Sequence, residues 1–110
     1  LDIERPVVFG HSFGGFVAAR VAKLVAPERV VLVGPAVRRF PVEDVPADTI
    51  VIHGEDDDVV PLADVLAWAR PQLLPVTVLP GCGHFFHGRL PQLSGVIAGM
   101  WRHHPVTPGA

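Results

Sequence analysis

One short glycine-rich segment restricts the possible folds of this chain more than any other feature. It reads GHSFGG over residues 10–15 and lies between two apolar segments. The preceding run, residues 6–9, is apolar throughout, as expected of a strand covered on both faces. The following segment, residues 13–25, has helical spacing and is apolar nearly all round, which predicts a largely buried helix. The glycine-rich segment is therefore predicted to be a tight turn from a strand into a helix.

The serine of this turn is a candidate nucleophile. A Gly-x-Ser-x-Gly pattern between a strand and a helix places the serine on a strained turn with its hydroxyl exposed. We expect glycine at Gly10 and Gly14 because larger side chains would collide with the neighbouring strand and helix. The start of the helix supplies the backbone N–H of Phe13 to a developing oxyanion. Ser12 and Phe13 are thus predicted as the nucleophile and an oxyanion-hole donor of an acyl-transfer site.

Strands and helices alternate along the rest of the chain. Pro41 and Pro46 mark a surface loop over residues 36–48, and Pro71 ends a helix near Arg70. The alternation predicts an α/β fold, a parallel β-sheet of about four strands with flanking helices. In such sheets, reactive groups gather on the loops beyond the carboxyl ends of the strands. The further elements predicted are strands at residues 29–33, 49–53 and 76–79, and helices at residues 61–70 and 90–101.

Composition and charge argue against several other classes of protein. The chain has 110 residues and a net charge of -2, which fits one domain and is too balanced for a nucleic-acid-binding surface. Its single cysteine, Cys82, excludes a disulfide framework and a cysteine-based zinc site. No apolar run approaches the roughly 18 residues that a membrane span needs. We expect a small-molecule acyl substrate, no nucleic-acid partner and a cytoplasmic location, and the sequence indicates no oligomeric state.

Two later loops carry an acid and a histidine. Residues 53–61 read HGEDDDVVP and residues 80–88 read PGCGHFFHG, each at the end of a predicted strand. An acidic cluster before a helix usually only complements the helix dipole. The chain order of serine, acid and histidine on three strand-end loops is nevertheless the order of a nucleophile, its orienting acid and its base. His84 is the candidate base, and spacing alone does not separate Asp56, Asp57 and Asp58 as the acid.

The segments GHSFGG, HGEDDDVVP and GCGHFFHGRL, in this order, resemble the α/β-hydrolase superfamily, and in particular its small bacterial serine hydrolases without a lid domain. The resemblance extends over about residues 5–101. It implies Ser12 as nucleophile, His84 as base and Asp57 as acid, since the acid loop of the family reads His-Gly-x-x-Asp-x-x-Val-Pro. The implied activity is hydrolysis of acyl esters, thioesters or small amides through a covalent acyl-enzyme, without a metal or an organic cofactor.

The beginning of the chain departs from that family. Family members carry several strands and helices before the nucleophile turn, including a loop that supplies the second oxyanion-hole N–H. The present sequence opens at Leu1, and its only methionine is Met100. We therefore interpret residues 1–104 as the carboxyl-terminal part of a hydrolase domain and residues 105–110 as a flexible tail. Such a fragment is expected to be weakly active or inactive by itself.

Two other functions stay open on the sequence alone. A hydrolase fold without activity could serve as a binding protein, although an intact serine, acid and histidine argue against this. A metal-dependent hydrolase could use His53, Asp57, His84 and His87, because histidines and carboxylates bind zinc. No His-x-x-x-His spacing on a helix supports the metal site. Cys82 is interpreted as a small loop residue, since no separate base is placed to activate it.

Overall fold

A parallel sheet of four strands forms the centre of the structure, a computed structural model that describes residues 7–103. Its strands lie side by side in sequence order, and each is parallel to its neighbour. The strands are β1 (Val7–His11), β2 (Arg29–Val33), β3 (Ile50–Gly54) and β4 (Thr77–Leu79). The helices are α1 (Phe13–Val25), α2 (Leu62–Ala69) and α3 (Leu90–His103), with a short 3₁₀ turn at Arg70–Gln72. The predicted α/β fold with about four parallel strands is confirmed.

The two central strands, β2 and β3, are buried along their whole length. Alternate residues of a strand point to opposite faces of the sheet. Val30 and Leu32 accordingly belong to a cluster that contains buried residues of α1 and α2, whereas Val31 and Val33 belong to a cluster with Leu93 of α3. Helices therefore cover both faces, and this explains why these strands are nearly continuous apolar runs.

β1 and α1 are less buried than their sequences predict. β1 is an edge strand in the described part of the chain, and Val7 and Phe9 are 48% and 57% exposed. α1 approaches the sheet through small residues and leaves larger ones, such as Val17 and Leu24, exposed. The prediction of a largely buried helix was wrong for α1, because no described element packs on its outer side. β1 is exposed because it has only one neighbouring strand among the described residues. The buried residues of α1 are Gly15, Ala18, Ala19 and Ala22.

The ends of the elements follow local chemistry. β1 continues through Gly10 and His11, beyond the predicted end, because both pair with β2. The regular part of α2 ends at Ala69, shortly before Pro71, as predicted. No helix among residues 7–103 is long and apolar enough to span a membrane. The predicted tail at residues 105–110 lies outside the described residues, as do residues 1–6 and 104.

Candidate active site

Ser12 lies on a strained turn between β1 and α1. Its φ of 58° and ψ of -120° belong to a sparsely populated region that costs a non-glycine residue about 1–3 kcal/mol. Its N–H donates to the Val33 carbonyl at 3.1 Å, and its carbonyl accepts the N–H groups of Gly15 at 3.0 Å and Ala36 at 3.2 Å. The strained conformation is therefore held by the end of β2 and the following loop as well as by α1.

Two positions of this turn, Gly10 and Gly15, leave no room for a side chain larger than that of glycine. A Cβ on Gly10 would lie 2.6 Å from the carbonyl carbon of Gly14 and 2.8 Å from the Cβ of Ala18. A Cβ on Gly15 would lie 2.9 Å from the Cβ of Pro35, whereas a Cβ on Gly14 would meet no described atom within 4 Å. The expectation of a collision is thus fulfilled at Gly10 and was wrong at Gly14, because the neighbouring elements approach Gly10 and Gly15 instead.

The loops after β1, β3 and β4 bring a hydroxyl, an imidazole and a carboxylate into one hydrogen-bonded row. His84 Nε2 lies 2.9 Å from Ser12 Oγ, and His84 Nδ1 lies 2.6 Å from Asp57 Oδ2. An ionised carboxylate can only accept, so the Nδ1 proton of His84 is donated to Asp57, and Nε2 accepts the proton of the Ser12 hydroxyl. The three residues selected from the sequence therefore meet at the carboxyl edge of the sheet.

Burial distinguishes Asp57 from its two acidic neighbours. Asp57 is buried, whereas Asp56 and Asp58 are exposed. Its Oδ1 accepts the backbone N–H groups of Val59 at 2.9 Å and Val60 at 2.6 Å, while its Oδ2 faces the imidazole. A buried carboxylate needs such donors to replace the water that it loses. Among the three neighbouring aspartates, Asp57 is therefore the one whose carboxylate is held by the backbone and faces His84.

His53 and Gly34 also contact this row. From the sequence, His53 was considered only as a ligand of the alternative metal site, and Gly34 was given no role. His53 is fully buried in β3, and its Nε2 donates to the Val60 carbonyl at 2.6 Å and lies 3.4 Å from Asp57 Oδ2. Burial lowers the pKa of His53 below the ordinary 6.5, against the opposing effects of the Val60 carbonyl and Asp57, so the ring is neutral at pH 7. Gly34 has a φ of 57°, and a Cβ there would lie 3.4 Å from His84 Nδ1. The available signals were a polar residue in an apolar strand and a glycine at a strand end.

The segment with Asp57 (residues 53–61, the acid loop) and the segment with His84 (residues 80–88, the base loop) are in contact through their backbones. A Cβ on Gly54 would lie 2.8 Å from the Cys82 carbonyl carbon and 2.9 Å from the Gly83 oxygen, and closer still to the Cys82 oxygen. That oxygen accepts the N–H of Asp56 at 3.0 Å. The glycine at the end of β3 therefore permits the close approach that brings His84 to its acid.

The arrangement of the described side chains supports neither a metal site nor a reactive cysteine. Among the described residues, no group of three or more histidine, cysteine or acidic side chains is arranged to bind a metal ion, and His87 is exposed. Cys82 is 1% exposed within an apolar cluster, and burial raises the pKa of its thiol. A buried neutral thiol is a poor nucleophile.

Hydrogen-bond donors lie next to Ser12 at the start of α1, and an apolar cleft lies beside the residues that flank Ser12 and His84 in the sequence. Phe13 is the first residue of α1, and the Ser12 side chain does not cap the helix. The first N–H groups of a helix have no acceptor within it and favour negative charge there. An apolar cleft of about 180 Å³ adjoins the base loop. The cleft is lined by Phe9, His11, Val33, Phe85, Phe86, Leu90 and Leu93.

No protein-family model and no curated protein matches the chain. Among solved structures, a serine hydrolase without a lid from Xanthomonas campestris is 31% identical, with a TM-score of 0.81 over 94% of this chain and 50% of that one. An α/β serine hydrolase homologue from Coxiella burnetii is 29% identical, with a TM-score of 0.78 over 88% of this chain and 49% of that one. A structure assigned to the α/β hydrolase superfamily from Xanthomonas campestris pv. campestris is 26% identical, with a TM-score of 0.75 over 88% of this chain and 58% of that one.

The similarity extends over most of this chain, which spans about half the length of the first of these relatives. All three share its sheet of parallel strands flanked by helices, and they carry the same superfamily or serine hydrolase description. These similarities support an assignment of the chain to the α/β-hydrolase superfamily.

Proposed function

We propose that the chain carries the catalytic triad of a serine hydrolase that acts on acyl esters, thioesters or small amides. The supporting observation is the row formed by Ser12 Oγ, the His84 imidazole and Asp57 Oδ2, with successive distances of 2.9 and 2.6 Å. Hydrogen bonds alone would also suit a purely structural network. The strained backbone of Ser12 favours catalysis, because such strain is retained mainly at functional sites.

The reaction has two halves. In the first, Ser12 Oγ attacks the acyl carbon while His84 Nε2 takes the hydroxyl proton, and the bond to the leaving group then breaks as His84 returns that proton to it. In the second, His84 takes a proton from water, the hydroxide oxygen attacks the acyl carbon, and Ser12 leaves with the proton restored. The Phe13 N–H stabilises the oxyanion formed in each half. Neither half needs a metal or an organic cofactor.

Asp57 has an orienting role in this mechanism. It holds the His84 tautomer that carries the proton on Nδ1, and it stabilises the imidazolium that forms when Nε2 takes the serine proton. The N–H groups of Val59 and Val60 keep the carboxylate in place through its other oxygen. The carboxylate itself stays ionised throughout.

A fluorophosphonate probe tests this proposal, because it forms a covalent bond only with an activated serine. The chain offers a matched control, since its other serine, Ser94, is exposed on α3. We expect peptide mass spectrometry to find the label on Ser12, and we expect Ser12→Ala to abolish labelling while Ser94→Ala leaves its rate unchanged. Absence of labelling in the folded chain would favour the non-catalytic binding protein. Equal labelling of both variants would show that the nucleophile is misassigned.

Turnover is a separate measurement. The serine hydrolases that this site resembles have a second oxyanion-hole N–H. It is supplied by a loop that precedes the nucleophile turn. Loss of one such donor costs about 10²–10³ in rate. We therefore expect the chain to be labelled by the probe and yet to hydrolyse a short activated ester slowly.

A further inference from the structure

His11, the last residue of β1, contacts His84 in two ways. Its Nε2 lies 3.0 Å from the backbone oxygen of His84. Its ring stacks on the His84 ring, with centroids 5.0 Å apart and planes inclined by 29°. His11 is half-buried and directly precedes Ser12. The mechanism above uses neither contact.

The hydrogen bond determines which nitrogen of His11 is protonated. A carbonyl oxygen only accepts, so Nε2 of His11 must carry the proton that it donates. Because His11 and Ser12 are consecutive, this bond ties the backbone of the base directly to the strand that carries the nucleophile. The rings of Phe85 and Phe86 form steeply inclined, edge-type contacts with the His11 ring, at centroid distances of 6.2 and 6.3 Å. The ring is therefore held from the side of the base loop as well.

The base loop contains two glycines in the left-handed region. Gly81 and Gly88 adopt positive φ angles of 64° and 71°, and glycines leave an unfolded chain more freedom to lose than other residues do. A displacement of the base by about 1 Å can reduce a rate about 10²-fold. A fixed distance between the His84 backbone and Ser12 thus matters for proton transfer over the 2.9 Å between them.

We propose that His11 is a positioning residue for His84. Its Nε2–H fixes the distance of the base loop from Ser12, and its ring supports the plane of the His84 imidazole. The predicted effect on reactivity rests on the proposed serine hydrolase function. The effect on the position of the imidazole does not.

Two substitutions separate the hydrogen bond from the ring contact. His11→Phe keeps a ring and removes the donor, whereas His11→Gln keeps an N–H donor near the position of Nε2 and removes the ring. His87→Phe and His87→Gln are matched controls on the base loop, where His87 is exposed. For the fluorophosphonate probe, we expect His11→Phe to lower the limiting rate kinact about tenfold or more and to leave KI within about twofold. We expect His11→Gln to lose less than about threefold in kinact, and the His87 variants to match the parent chain.

A second measurement does not depend on reactivity. Proton NMR of the chain before reaction with the probe detects the Nδ1 proton that His84 donates to Asp57. We expect its signal in His11→Gln and its loss or broadening in His11→Phe, with equal thermal transitions in both. The proposal would be overturned if His11→Phe kept both kinact and the NMR signal of the parent chain. It would also be overturned if His11→Phe and His11→Gln lost kinact equally and in proportion to a loss of thermal stability. A parent chain without labelling whose NMR signal still depends on the His11 donor would overturn only the proposed function.

Discussion

Replacement of Gly54 by alanine tests whether the triad depends on backbone contact between the acid loop and the base loop. The new Cβ would lie 2.8 Å from the Cys82 carbonyl carbon and 2.9 Å from the Gly83 oxygen. Both are main-chain atoms, so no side-chain rotation can relieve the overlap. The two loops must move apart instead.

The size of the effect follows from ordinary contact distances. Non-bonded carbon atoms prefer about 3.5–4.0 Å, so the loops must separate by about 1 Å. Overpacking of this kind typically costs about 1–3 kcal/mol of folding stability. The separation also acts on the 2.6 Å hydrogen bond between His84 and Asp57, and a misplacement of about 1 Å can reduce a rate about 10²-fold. We expect Gly54→Ala to remain folded and to lose most of its reactivity towards the probe.

The control is Gly83→Ala, in the loop that faces Gly54. A Cβ on Gly83 would meet no described atom within 4 Å. We expect its unfolding midpoint in urea and its probe labelling rate to stay close to those of the parent chain. The two variants are compared by urea unfolding and by labelling in native buffer. Parent-like labelling in Gly54→Ala, or an equal loss in Gly83→Ala, would refute the argument from loop contact.

Three further predictions concern the pH dependence of stability, the identity of the acid and the nucleophile turn. Burial lowers the pKa of His53 below 6.5 in the folded chain. Below pH 6.5 the unfolded chain therefore binds a proton at His53 that the folded chain does not bind. The free energy of unfolding is then highest above pH 6.5 and falls by up to about 1.4 kcal/mol per pH unit below it. His53→Gln should reduce this slope in urea unfolding at pH 7.5 and 5.5, and an unchanged slope would contradict the burial argument. If Asp57 is the acid of a Ser-His-Asp triad, as proposed, Asp57→Asn should slow labelling by a factor on the order of 10⁴, and comparable rates in Asp56→Asn would show that the acid is misassigned. Gly10→Ala should lose about 1–3 kcal/mol in urea unfolding through overpacking, and Gly14→Ala should lose nothing; equal losses would contradict the geometry of the turn.

Much of the fold could be predicted because the central strands carry a strong local signal. β2 and β3 are almost entirely apolar, and prolines and glycines mark the ends of most elements. The exposure of α1 could not be predicted in the same way. An apolar pattern indicates that a face can be covered, and the neighbouring elements decide whether it is. Val17 and Leu24 are apolar without a described neighbour above them.

The candidate site was predictable where a residue type carries the chemistry. A serine between glycines and a histidine after the last strand are visible as patterns, and the order of the loops links them. His11 and His53 are different, because each donates to a backbone carbonyl, 73 and 7 residues away respectively. Every residue has a carbonyl, so no pattern of residue types marks the acceptor. Contacts of this kind become visible only when the chain is folded.

The sheet order has a consequence for when the site can form. Among residues 7–103, β1 and β4 are the two edges of the four-stranded sheet, and the hydrogen bond between Ser12 and His84 joins residues 72 positions apart in the sequence. Contacts at such separation form late and slowly, because a long segment must first be ordered between them. A folding intermediate that lacks either edge strand would therefore hold Ser12 without its partner His84. On the proposed function, labelling of Ser12 by the probe would then report the completed sheet.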